Sequence, residues 1–97
     1  AAYPYADLFR DFSSSICQPN NVLVTYGYGF GDDHINRVIA DMLTIPSTHL
    51  VILAWGEKPH ERIASFVSRV GRPQQLTLLV GKHFGDIRTL VEHYLPN

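Results

Sequence analysis

The stretch Val22-Leu-Val-Thr-Tyr-Gly-Tyr-Gly-Phe-Gly-Asp-Asp-His-Ile-Asn-Arg-Val-Ile39 decides the fold. Val22 to Tyr26 is a short, continuous run of β-branched and aromatic residues, the pattern of a strand buried on both faces. It runs directly into Gly27-Tyr28-Gly29-Phe30-Gly31 and then Asp32-Asp33. Beyond the glycines, Ile35, Val38, Ile39, Met42 and Leu43 recur at helical spacing and form one apolar stripe. Asp32 stands where a helix N-cap belongs, because its carboxylate can accept the free amide hydrogens of the first turn. A strand, a glycine loop and an amphipathic helix make the first part of a βαβ unit.

The same alternation continues on either side. Upstream, Leu8, Phe9, Phe12 and Ile16 share one face of a helix from about Tyr5 to Ile16, and Gln18-Pro19-Asn20-Asn21 ends it. Downstream, Pro46 and Ser47 break the chain before a second strand, His49 to Trp55. Gly56 to Pro59 form its loop; Ile63, Phe66, Val67 and Val70 stripe the next helix, and Gly71 stops it. A third strand spans Gln75 to Val80, followed by a loop from Gly81 to Gly85. Asp86 then caps a last helix carrying Ile87, Leu90, Val91, Tyr94 and Leu95. Strands and helices alternating at a period of roughly 27 residues predict a Rossmann-like α/β fold, αβαβαβα. The expected sheet has three parallel strands in sequential order with helices on both faces. It reads as part of a larger sheet, and residues 1–97 as a single domain or the second half of one. Right-handed crossovers bring the three βα loops to one rim, where ligands of such sheets bind.

Composition narrows the function. Apolar residues make up 45% of the chain, which supports a packed core rather than disorder. The formal charge is −1, so no cationic surplus exists for general nucleic-acid binding. Cys17 is the lone cysteine and has no internal disulfide partner, which with the absence of a leader-like start points to the cytoplasm. No apolar run approaches the length of a membrane helix.

The glycine loop carries the most chemistry. Glycine permits positive φ and lets a ligand approach the backbone closely. The helix behind it aims free amide hydrogens and the positive end of its dipole at the loop, which suits a phosphate or a ribose-phosphate edge. The spacing is GxGxG rather than the dinucleotide fingerprint GxGxxG, and a tight packing turn is the competing explanation. Asp32, Asp33, His34 and Asn36 cluster at the helix start and suit hydroxyl recognition on a ribose. They do not converge as zinc ligands would, and the five histidines show no metal spacing. Trp55 ends the second strand and can stack on a base or serve as a core-edge aromatic. Glu57, Lys82 and His83 sit in the other two rim loops. No GxSxG elbow, Walker lysine loop or Cys–His signature is present, so no residue of this chain is assigned a catalytic role.

Taken together, the quoted stretch from Val22 to Ile39 resembles the C-terminal half of SIR2-like domains, bacterial relatives of sirtuins. Many of these carry a strand, a Gly-Tyr-Ser-Phe-Gly-Asp loop and a helix opening with His-Ile-Asn. The resemblance extends over almost the whole chain, with Tyr3-Pro-Tyr-Ala-Asp-Leu-Phe-Arg10 similar to the helix that precedes the strand. It implies NAD as ligand and an activity that cleaves the nicotinamide–ribose bond, as an NAD hydrolase or a deacylase. By resemblance Gly27, Tyr28, Gly29, Phe30, Gly31 and Asp32, with His34 and Asn36 behind them, face the adenosine side of NAD. Ala54 and Trp55 lie near the adenine ribose. Gly29 stands where the family has serine, which removes a hydroxyl donor. The family's first glycine-rich motif and its catalytic Asn and His precede the region matched here, so the chain reads as half a site, completed by an N-terminal half or by a homo-oligomer. The competing expectation is a non-catalytic α/β interaction module whose exposed sheet edge pairs with another chain. A receiver-like signalling domain is disfavoured, since no acceptor Asp stands at the expected strand end.

Overall fold

A computed structural model of the chain describes residues 4–56 and 60–81. Helix α1 spans Pro4–Ile16, strand β1 Val22–Tyr26, helix α2 Asp33–Leu43, strand β2 His49–Trp55, helix α3 Glu61–Val70 and strand β3 Leu76–Gly81. A single turn of 3-10 helix, Pro73–Gln75, leads into β3. The three strands form one parallel sheet in the order β1-β2-β3. This is the predicted α/β arrangement, and β2 begins and ends where the sequence reading placed it. The expected last helix, Ile87 to Leu95, and the rim residues Glu57, Lys82 and His83 lie outside the described residues.

Among the described residues, the helices lie on one face of the sheet. Ile16 of α1, Ile39, Met42 and Leu43 of α2, and Ile63 and Phe66 of α3 join Leu50, Ile52 and Ala54 of β2 in one core. All three described helices therefore cover the same face. The cause is topological. Successive right-handed crossovers that advance in one direction drop their connecting helices, here α2 and α3, on one side, and α1 packs against α2.

That geometry also corrects the reading of β1 as a strand buried on both faces. Thr25 is buried, whereas Val22, Val24 and Tyr26, on the face opposite the described helices, are 61, 53 and 49% exposed. Among the described residues β1 pairs with β2 alone and is an edge strand. β2 is buried from Leu50 to Ala54 and fits the description intended for β1.

Local chemistry sets the ends of the elements. Asp32 Oδ1 accepts from the backbone N–H groups of His34 (2.9 Å) and Ile35 (3.1 Å), the expected cap of α2. Gly71 closes α3 in the left-handed region at φ 63°, which glycine adopts without a Cβ clash. The C-terminal carbonyls of α2 meet a side chain instead. Gln75 Nε2 lies 3.1 Å from the Leu43 carbonyl, 3.0 Å from that of Ile45 and 3.1 Å from that of Thr48. The buried Thr48 hydroxyl reaches the Met42 carbonyl at 2.9 Å. These polar contacts anchor the α2–β2 connection to the start of β3. Among the described residues, no helix is long and apolar enough to cross a membrane.

Candidate functional site

The carboxyl ends of β1 and β2 bring Gly27 and Trp55 together. Gly27 donates its backbone N–H to the Leu53 carbonyl (3.2 Å) and then turns at φ 70°. The Trp55 ring is the nearest neighbour of that turn, 3.7 Å from where a Cβ on Gly27 would stand. Trp55 meets Tyr26 edge-on at 4.5 Å, on the sheet face opposite the described helices. Gly29 has open space around it: among the described residues nothing lies within 4 Å of an added Cβ. The loop thus presents bare backbone at its first and middle glycines.

The remainder of the loop is braced from within. Phe30 takes a positive φ of 58°, rare for a bulky side chain, and is almost completely buried. Its ring packs on Tyr28 at 4.5 Å and on Phe66 of α3 at 4.8 Å. Asn36 is buried, donates from Nδ2 to the Phe30 carbonyl (3.0 Å) and accepts at Oδ1 from the Tyr28 hydroxyl (2.6 Å). The same hydroxyl lies 3.1 Å from the Asp32 carbonyl. Burial pushes the Tyr28 pKa above its ordinary 10.0; the charges of Asp32 and Asp33 add to the rise, and the hydrogen bond at the Asp32 backbone opposes it. Tyr28 is therefore a neutral donor across the physiological range.

The residues singled out from the sequence fall into separate groups. Gly27, Gly29, Gly31 and Trp55 line the rim. Tyr28, Phe30 and Asn36 hold the loop's shape, and Asp32 caps α2. Ala54 faces the core between the sheet and the helices. The His34 ring packs against Phe9 of α1 at 5.8 Å. Among the described residues, no three His, Cys, Asp or Glu side chains gather as a metal centre requires.

A feature the sequence reading missed lies on α3. A cavity of about 410 Å³ that runs along α3 beside the start of α2 is lined by Gly31, Asp33, Glu61, Arg62, Ser65 and Arg69, together with Phe30 and Asn36. Beside it, a cavity of about 280 Å³ joins Gly29 to His60, Glu61, Arg62 and Ile63. Among the described residues, the buried His60 Nε2 atom has no hydrogen-bond partner. Arg62, Ser65 and Arg69 stand three and seven residues apart, a polar helical stripe visible in the sequence once α3 is placed. In comparison with known proteins, no family model matches the sequence, and no curated protein matches it.

Proposed function

We propose that this chain is the NAD-binding half-site of a SIR2-like domain, and that the complete protein cleaves the nicotinamide–ribose bond of NAD. The observation that carries the reading is the exposed glycine backbone at Gly27 and Gly29 at the carboxyl rim of a parallel sheet, with Trp55 against its first turn. In open parallel sheets that rim is where nucleotides sit. Bare glycine backbone admits a ribose or phosphate closely, and an aromatic ring at the edge offers a stacking surface for a base. The likeness of Val22–Ile39 to the SIR2-like loop and helix adds NAD as the nucleotide.

Cleavage of the nicotinamide–ribose bond builds positive charge on the ribose, and hydrolysis needs a guided water on the opposite face. No group described above provides that apparatus. The division of labour follows: this half holds the adenosine side, and the other half performs the chemistry. The test is nicotinamide release, measured by chromatography, together with NAD calorimetry on the isolated chain and the full-length protein. Release by the full-length protein and none by the isolated chain is expected. Release by the isolated chain overturns the division of labour; a folded full-length protein that does not bind NAD overturns the whole reading.

A second reading, a non-catalytic interaction module, draws on the exposed apolar residues Val22, Val24 and Tyr26 of β1. It predicts a folded protein that engages another chain through β1 and binds no nucleotide.

A further inference from the structure

We propose that Arg62, assisted by Arg69, receives the phosphate groups of a nucleotide seated on the glycine loop, with Asp33 and Glu61 taking the ribose hydroxyls. The inference rests on the nucleotide reading above and names the part of the ligand that α3 recognises. Arg62 is on the first turn of α3 yet lies across the loop: its Nη1 atom is 2.5 Å from where a Cβ on Gly31 would stand. It also borders both cavities that open beside the loop. Among the described residues neither Arg62 nor Arg69 is held in an ion pair, and the recorded contact of Arg69 is its approach to the Phe66 ring at 5.9 Å. The two guanidinium groups are exposed and open to a new partner.

The lining of the larger cavity identifies the ligand class. Guanidinium presents a planar fork of N–H donors that matches two phosphate oxygens at once. The carboxylates of Asp33 and Glu61 would repel a bare anion, but a carboxylate is the usual acceptor for ribose hydroxyls in nucleotide sites. A wall holding both signs therefore suits a ribose phosphate better than free phosphate. Its volume of about 410 Å³ is ample for that group and falls in the ordinary range of small-molecule pockets.

The experiment is calorimetry of NAD, ADP-ribose, adenosine and inorganic pyrophosphate with the full-length protein, its Arg62→Ala and Arg62→Lys variants, and thermal melts of each. Arg62 is an exposed helix residue, so the melts are expected to coincide. Loss of a charge-assisted contact is expected to weaken ADP-ribose and NAD by about tenfold or more in Arg62→Ala and to leave adenosine unchanged. Arg62→Lys should fall between, since the charge survives and the fork does not. Pyrophosphate should bind the wild type more weakly than ADP-ribose does. Unchanged affinities in Arg62→Ala, or an equal loss for adenosine, overturn this inference alone. A wild-type protein that binds none of the nucleotides overturns the nucleotide reading and this inference with it.

Discussion

At the scale of single residues, the loop is held by one partly buried hydroxyl. Tyr28 bridges to Asn36 and the Asp32 carbonyl, and Asn36 in turn holds the carbonyl of Phe30, whose backbone is in the left-handed region. Removing the hydroxyl leaves the buried Asn36 oxygen unpaired, so Tyr28→Phe should cost about 1–3 kcal/mol in a denaturation experiment. The pH dependence has a definite sign. The folded-state pKa of Tyr28 is raised above 10.0, so the folded protein keeps the proton where the unfolded chain releases it. Stability is complete below pH 10 and is lost as pH rises through the folded-state value. Alkaline unfolding of the wild type should therefore contain a component that Tyr28→Phe lacks. Two glycines of the same loop should behave oppositely. Gly27 has φ 70°, which costs a side-chain-bearing residue about 1–2 kcal/mol, so Gly27→Val should lower stability and abolish NAD binding. Gly29 has neither a positive φ nor a neighbour near an added Cβ, so Gly29→Ser should leave the melting temperature unchanged. It should also tighten NAD by supplying the hydroxyl donor of the resembled loop, and a weaker affinity in calorimetry would count against the match.

At the scale of elements, the order of strands and helices was legible in the sequence because each element carries a period of its own. The stripe Ile35, Val38, Ile39, Met42, Leu43 marks a helix, and the run from His49 to Trp55 reads as a strand by its shortness and its flanking Pro46-Ser47 and Gly56. The side on which the helices fall was not legible, because a residue stripe states which face of a helix is buried and not which face of the sheet it meets. β1 shows the consequence: Val22-Leu-Val-Thr-Tyr reads like a central strand, yet alternate residues are exposed. For the site, the sequence marked the bare rim at Gly27 and Gly29 and the cap at Asp32. It could not tell a rim residue from a brace, since Phe30 and Asn36 turn inward through a backbone conformation that no local pattern announces. Gln75 is the other silent residue. Read as the first residue of a strand, it instead donates to carbonyls at the end of α2. Gln75→Leu keeps the approximate size and removes the donors, so several partly buried carbonyls lose a partner. Equilibrium unfolding should show a loss of about 1–3 kcal/mol, and no loss would mean that water serves those carbonyls equally well.

At the scale of the whole molecule, the sheet has one face that its own described helices do not reach. The exposed apolar row Val22, Val24 and Tyr26 lies on an edge strand, where backbone N–H and C=O groups can pair with a strand from elsewhere. Proteins that keep such edges unpaired place charge on them, whereas β1 carries none between Val22 and Tyr26. Net charge gives little further protection: at −1, repulsion between copies is weak. Both functional readings require β1 to be covered, by the other half of a nucleotide-binding domain in one and by a partner chain in the other. The isolated chain should therefore associate as its concentration rises. Val24→Lys places a charge at the middle of the row, on a residue already 53% exposed, so its cost to the fold is small while its cost to a strand or sheet contact is large. Light scattering over a concentration series should show a growing mass for the wild-type chain and a constant, monomeric mass for Val24→Lys. A wild-type chain that stays monomeric at high concentration would show that this face is closed by the chain itself, and the requirement for a second segment would fall with it.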